Sequence, residues 1–553
     1  MNNRNGLDRF DHVVVLMLEN RSFDSLLGYL YEGGVPDNQS FAGLQEGEIS
    51  LPVPKRATDY DKHQTVTTHK TEDYHAPYPD PGEMYQHVNT QEYDQLDPDN
   101  VGVDGIKMSA PYNVPEPAPV PPPMTGFVND YINTLQALGK TKDGKQFANP
   151  VYEQYKVIMS CFQPESVNVL TTLAKEFAVF DHWFCSVPSE TWCNRAFWHA
   201  GTSCGEVINP PEEVGVEAQL KAFLRWEENF NVTDNLFTRM NEKKVSWHIY
   251  HEEPFSLTRI INGYCNPAFT GGKFRYGLDA FKKDIAHGNL PSYSFFEPRV
   301  VLQHNDQHPS SFDSTLYGET HPGSVLLGEK LIWDIYETIR CSELYRDNTL
   351  FIITHDEHGG CFDHVPPPAT VPPTPGMVGD KGFTFDRMGV RVPMVMVSAY
   401  IKPNTIVNDE HDHTSFIKMC CDKWGLQGLT DRDKQAKSFA GIFTDQPRKM
   451  PPIKEPVIPA VDMKKHHELP LNPLQQGFLH AAGYHSAAKN RRDSALARTA
   501  TIGTVGEAAK HLDKLSRRVS PCTRLLCDKL GIFRHPCLLV AWILKKMGAI
   551  FHR

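Results

Sequence analysis

Six apolar residues, Val13 to Leu18, run without a break into Glu19, Asn20 and Arg21. A run this short falls below the about 20 apolar residues of a membrane span, and its Val-rich make-up suits a strand buried on both faces. The pattern recurs. "NTLFIITHDEHGG" predicts a strand over about 350–354 that ends in His355, Asp356 and Glu357 at a double-glycine turn. "FAVFDHWFCSVPSETWCNRAFWHAGTS" predicts a short strand to about Phe180, an irregular loop, and a helix beginning near Thr191. "VSWHIYH" at 245–251 and "RVPMVMVSAYI" at 391–401 predict two more strands, while the apolar spacing from Val325 to Ile339 is helical. Strands alternating with helices predict an α/β fold, a mostly parallel central sheet flanked by helices. Residues 30–125 lack such periodicity and are rich in Pro, Asp, Tyr and His, which predicts a long insertion over the site.

Polar residues at strand ends carry chemical meaning in this fold class, because ligands bind in the crevice beyond the carboxyl ends of the strands. For the first strand alone the competing account, that Asn20 merely starts a helix, weighs equally. The second strand end shifts the balance. Glu19, Asn20, Asp356 and Glu357 together supply the oxygen ligands that a hard or borderline divalent cation needs. Unpaired carboxylates at a buried turn would otherwise be costly. "VPSETWCNR" adds a hydroxyl near a helix start, where backbone N–H groups and the helix dipole favour phosphate; Thr191 and Ser189 both qualify, and a plain N-cap is the bland account of either.

Bulk composition narrows the class. The chain has 553 residues and a net charge of −11, which argues against general nucleic-acid binding. Charge is uneven: residues 489–553 hold 14 basic and 4 acidic side chains, net +10, leaving −21 on residues 1–488. Twelve cysteines without a CxxC pair indicate free thiols rather than a zinc ribbon or disulfide framework. No classical secretory signal is visible at the amino terminus, so a cytoplasmic location or export by a non-classical route is expected. Domain bounds read as a catalytic unit over 8–430, a Pro-containing linker or peripheral segment over 431–488, and a basic, partly amphipathic region over 489–553.

Four blocks in this order, "ENRSFDSLLG" at 19–28, "TWCNR" at 191–195, "DEHGGCFDHVPPP" at 356–368 and "GVRVPMVMVSAYI" at 389–401, resemble the signatures of the phosphoesterase family that unites bacterial and plant phospholipases C with acid phosphatase A. The resemblance covers roughly residues 8–430 and implies an alkaline-phosphatase-like fold. It implies metal ligation by Glu19, Asn20, Thr191, Asp356 and Glu357, with Thr191 as nucleophile. The metal is one or more divalent ions, zinc or calcium, magnesium or manganese. The chain departs from the pattern at Ser189-Glu190, at Cys193 and at His355, and Glu357 matches the phospholipase branch.

Histidines are carried over with more competition. His321 in "ETHP" matches a family His-Pro, with His308 in "NDQHP" as a second match, and His87 resembles an early active-site histidine. His321 and His87 are the preferred phosphate-binding and proton-transferring groups, together with Asn20. His251, His364 and His413 are expected to orient neighbours or meet substrate. The expected activity is metal-dependent phospholipase C hydrolysis on the glycerol side of a phospholipid, through a phosphothreonine. A monoesterase (acid phosphatase) and a non-catalytic lipid-binding effector are the alternatives. A phospholipid at a membrane surface is the expected partner, and the apolar run with Lys545 and Lys546 suits a surface-lying segment as well as a docked helix.

Overall fold

The computed structural model describes residues 6–100, 108–140, 144–213, 215–310, 322–460 and 462–518. Among these, the strands β1 (His12–Leu18), β2 (Ala178–Phe180), β3 (Trp247–His251), β4 (Phe274–Tyr276), β5 (Tyr293–Glu297), β6 (Thr349–His355), β7 (Met394–Val397) and β8 (Thr405–Val407) form one sheet. Across it the order is β8, β2, β7, β6, β1, β5, β3, β4. The most apolar strands therefore sit centrally. β1 is parallel to β5 on one side and β6 on the other, with Val13 opposite both Tyr293 and Leu350. β7 runs antiparallel to its neighbours β6 and β2, an orientation that a four-residue apolar run does not encode. Mostly parallel sheets need cover on both faces, and Val13 to Leu18 are accordingly all buried.

Helices supply that cover. Ile332, Ile335 and Tyr336 of the helix Ser324–Arg340 and Leu170 and Leu173 of Asn168–Glu176 join the central core, as do Trp198 of Thr191–Ala200 and Phe416 and Ile417 of His413–Trp424. Each buried Leu, Ile or Phe in that core is worth about 1.5–3 kcal/mol.

The insertion over 30–125 has its own structure. Its helix Tyr85–Tyr93 packs through Val88 into a core with Met124, Phe127 and Tyr131, and this fixes the turn carrying Asp80 and Glu83. Sequence reading predicts a linker or peripheral segment over 431–488, yet the helix Pro473–Ser486 is buried over most of its length. Leu474, Phe478 and Leu479 share a core with Trp192 and Phe197 of the Thr191 helix. Its Tyr484 hydroxyl and Arg492 both bond the buried Glu227 carboxylate, at 3.0 and 2.8 Å. The apolar run around Lys545 and Lys546 lies outside the described residues.

Candidate active site

β1 and β6 finish together, Leu18 opposite His355, so their polar tips emerge side by side. The ladder continues past the strands: Asp356 donates its backbone N–H to Leu18 O at 3.2 Å and Arg21 donates to Glu357 O at 3.1 Å. Asn20 turns the chain with φ 54° and donates its backbone N–H to Asp356 Oδ1 at 3.1 Å. Gly359 closes the opposite turn at φ +61°. A Cβ there would lie 2.5 Å from both Asn20 Cβ and Asn20 O, so only glycine lets the two tips approach.

The third contributor is the helix Thr191–Ala200, whose first residue places its hydroxyl 3.5 Å from both Glu19 Oε2 and Asn20 Oδ1. Ser189, the rival hydroxyl, instead donates to the Val207 carbonyl. One turn along the same helix face, Arg195 reaches Glu19 Oε1 at 2.5 Å and Asp356 Oδ2 at 3.3 Å. Its guanidinium clamps one oxygen of each acid and leaves Glu19 Oε2 to face Thr191. Sequence reading assigns Arg195 no role, although it closes the quoted "TWCNR" block.

Further carboxylates crowd this point. Glu83, from the insertion, accepts a hydrogen bond from the Asn20 carboxamide. Burial drives Glu83 well above the usual carboxylate range, and Glu357 and Asp80 add to the rise. Burial, then Asp356, does the same to Glu357; burial raises Glu19 too, against the pull of Arg195. Asp356 stays below its ordinary value although burial opposes this, through its hydrogen bond with Glu19, Arg195, and the backbone N–H groups of Asn20 and Glu357.

These residues suit a divalent cation. Glu19 Oε2, Asn20 Oδ1 and Thr191 Oγ1 are oxygen donors spaced like the edge of a coordination shell, and Glu357 Oε1 is buried without a hydrogen-bond partner. A tighter acidic group, Asp24, Asp363 and His364, has ligand atoms within 4.8 Å of one another. There the counter-charge is already built in: Arg391 bonds Asp363 Oδ1 at 2.8 Å and Asp24 Oδ1 at 3.0 Å, and His364 bonds Asp24 Oδ2 at 2.6 Å. Asp24 also accepts the His364 N–H, and Asp24 N bonds Asp363. That group braces the loops after β1 and β6.

The histidines divide by the groups they contact. His308 enters the site: Nε2 lies 4.0 Å from Glu83 Oε2, Nδ1 lies 3.7 Å from Asp80 Oδ1, and the buried Nε2 has no hydrogen-bond partner. His321 lies outside the described residues. His87 bonds Asp130 Oδ1 at 2.7 Å, and Gln91 links that aspartate to His358, whose Nδ1 is 3.4 Å from Glu357. The His87 Nε2 is buried without a hydrogen-bond partner among the described residues. His413 Nε2 meets the Asp356 carbonyl at 2.6 Å and orients it. His251, at the end of β3 and two strands from β1, bonds the Glu253 carbonyl. Arg21 donates to the carbonyls of Gln307 and Ala76 at 2.7 and 2.6 Å.

A family model described as "Phosphoesterase family" matches residues 10–427. The chain is 31% identical over 467 residues to the non-specific phospholipase C6 of Arabidopsis thaliana, covering 80% of this chain and 75% of that protein. It is 24% identical over 451 residues to the phospholipase C A of Mycobacterium tuberculosis, covering 76% and 74%. Among solved structures, the phosphonate monoester hydrolase of Agrobacterium radiobacter aligns with a TM-score of 0.27 at 11% identity, over 47% of this chain and 69% of that one.

Proposed function

The chain belongs to the Phosphoesterase family, and from that premise we propose that it is a phospholipase C that cleaves the glycerol-side phosphoester of a phospholipid with Thr191 as nucleophile. The observation that carries this reading is the Thr191 hydroxyl at the first turn of a helix, 3.5 Å from both Glu19 Oε2 and Asn20 Oδ1. Relatives of this family named as phospholipases C from a plant and a bacterium support the substrate class.

A divalent cation held by Glu19, Asn20, Asp356 and Glu357 would supply charge screening at the phosphoryl oxygens and acidify the bound hydroxyl. Thr191 Oγ attacks phosphorus, and Glu19 Oε2, at 3.5 Å, is the carboxylate oxygen that accepts its proton. The amino-terminal end of the Thr191 helix favours the negative charge of the phosphoryl group through its dipole, while the Trp192 N–H is taken by Asn209 Oδ1 at 2.9 Å. The bond from phosphorus to the glycerol oxygen breaks, and His308 Nε2 delivers the proton that the departing diacylglycerol needs. Water then cleaves the phosphothreonine ester, with His308 taking the proton of the attacking water and Glu19 returning its proton to Thr191 Oγ as the P–O bond breaks, and the phosphorylated head group leaves. His413 and Arg195 hold Asp356 and Glu19 in place throughout. The test compares a diester lipid with a simple phosphomonoester: diacylglycerol release by the wild type and none by a folded Thr191→Ala protein is expected. Turnover of the monoester alone would make the chain a phosphatase instead.

A further inference from the structure

His308 sits on the loop that follows β5, and that loop is braced from outside the catalytic unit. Residues 463–518 lie beyond the matched family region, which ends at 427. Yet His466 Nε2 accepts the Gln303 N–H at 2.7 Å, Gln475 Nε2 donates to Val301 O at 3.4 Å, and the Asn472 carboxamide reaches His308 Nδ1 at 3.3 Å. Phe478, one turn further along the helix Pro473–Ser486, lines a narrow cleft with Glu19 and Arg195. Three points along one short loop are thus set by one carboxy-terminal helical unit.

Asn472 has two jobs. As N-cap it accepts the Gln475 N–H on Oδ1 at 2.7 Å, and its own backbone N–H is taken by Gln475 Oε1 at 3.0 Å. With Oδ1 committed to the cap, the NH2 end of the carboxamide is the end that faces His308. The contact is buried on both sides, His308 fully and Asn472 at 3% exposure. His308 Nδ1 also faces the Pro309 carbonyl at 2.9 Å. One donor and one acceptor at Nδ1 keep that nitrogen satisfied whichever way the ring is protonated, so Nε2, which has no hydrogen-bond partner among the described residues and lies 4.0 Å from Glu83 Oε2, stays aimed into the site.

We propose that Asn472 is a positioning residue for the phosphoester chemistry, its carboxamide seating the His308 ring with Nε2 turned to the leaving group. This rests on the reading of His308 as proton donor given above. It makes the carboxy-terminal unit a working part of the active site and not an appendage.

The experiment separates the cap from the seat. Ser and Asp cap helices about as well as Asn. A pure capping role therefore leaves Asn472→Ser and Asn472→Asp with wild-type turnover. Seating predicts that Asn472→Ser keeps its melting temperature and KM while kcat falls about 10- to 100-fold. Asn472→Asp then changes the pH-rate profile, because a carboxylate beside Nδ1 favours the doubly protonated ring and carries the limb it governs to higher pH. Should the Ser variant fail to fold, the Asp profile decides. Wild-type kcat and pH profile in the folded variants overturn the proposal. His308→Ala is assayed alongside: full activity there would sink the proton-donor reading itself, whereas a dead His308→Ala with unaffected Asn472 variants would sink only the seat.

Discussion

At residue scale the site is a charge problem solved locally. Glu19, Glu83, Asp356 and Glu357 converge beside Thr191, and Arg195 offsets part of that charge by holding the oxygens turned away from the hydroxyl. Changing Asp356→Asn removes charge while keeping the shape. It should weaken divalent-cation binding at least tenfold, read by calorimetric titration, with the circular dichroism spectrum unchanged; unchanged affinity would take Asp356 out of the ligand set. Arg391 offers a contrasting case. Its guanidinium pairs with Asp24 and Asp363 and stacks over Phe23 at 4.5 Å, all fully buried. Arg391→Leu strands two acids and should cost ~3–5 kcal/mol in urea unfolding. A loss below 1 kcal/mol would show that the network is not holding these loops.

At element scale, what the sequence made legible was the pair of strand ends. Val13–Leu18 and Leu350–Thr354 are short Val- and Ile-containing runs that suit buried strands, and the acids stand at or one residue past their ends, so Glu19, Asn20, Asp356 and Glu357 could be read together. The Thr191 helix was legible from its block. Other parts depended on packing. Two His-Pro pairs, at 308 and 321, follow β5 in tandem, and no periodicity ranks them; the loop brace places His308 at the site. Glu83 and Asn472 arrive from segments about 60 and 450 residues from β1, so nothing local marks them. The helix Pro473–Ser486 opens on a proline and holds two glycines, which suggests a linker, and its apolar residues reveal their purpose only against Trp192 and Phe197. Phe478→Ala should therefore cost ~3–5 kcal/mol, measured by chemical denaturation. A peripheral helix would lose under 1 kcal/mol.

At the scale of the whole molecule, buried acids make stability depend on pH. Glu329, fully buried in the helix Ser324–Arg340, accepts the N–H groups of Val169 and Leu170, and burial lifts it to about 8. A carboxyl raised in the fold contributes stability that is complete below its ordinary value of 4.5 and is lost as pH rises through 8. The native state holds the proton in that window and the unfolded chain does not. Glu329→Gln keeps an acceptor for both N–H groups and abolishes the loss. Relative to wild type, it should gain about 1.4 kcal/mol per pH unit from pH 5 to 8 and then level off. A parallel pair of stability curves would contradict that assignment. The same packing ties remote parts to catalysis: the insertion brings Glu83, the carboxy-terminal helices bring Asn472, and the sheet brings the strand tips.

The proposed hydrolysis turns on one covalent bond. Wild-type protein mixed with a phospholipid and quenched in acid within a single turnover should carry the head-group phosphate on the peptide containing Thr191, located by mass spectrometry, with one equivalent of diacylglycerol released. Finding that phosphate on another residue, or the same diacylglycerol burst from a folded Thr191→Ala protein, would contradict it.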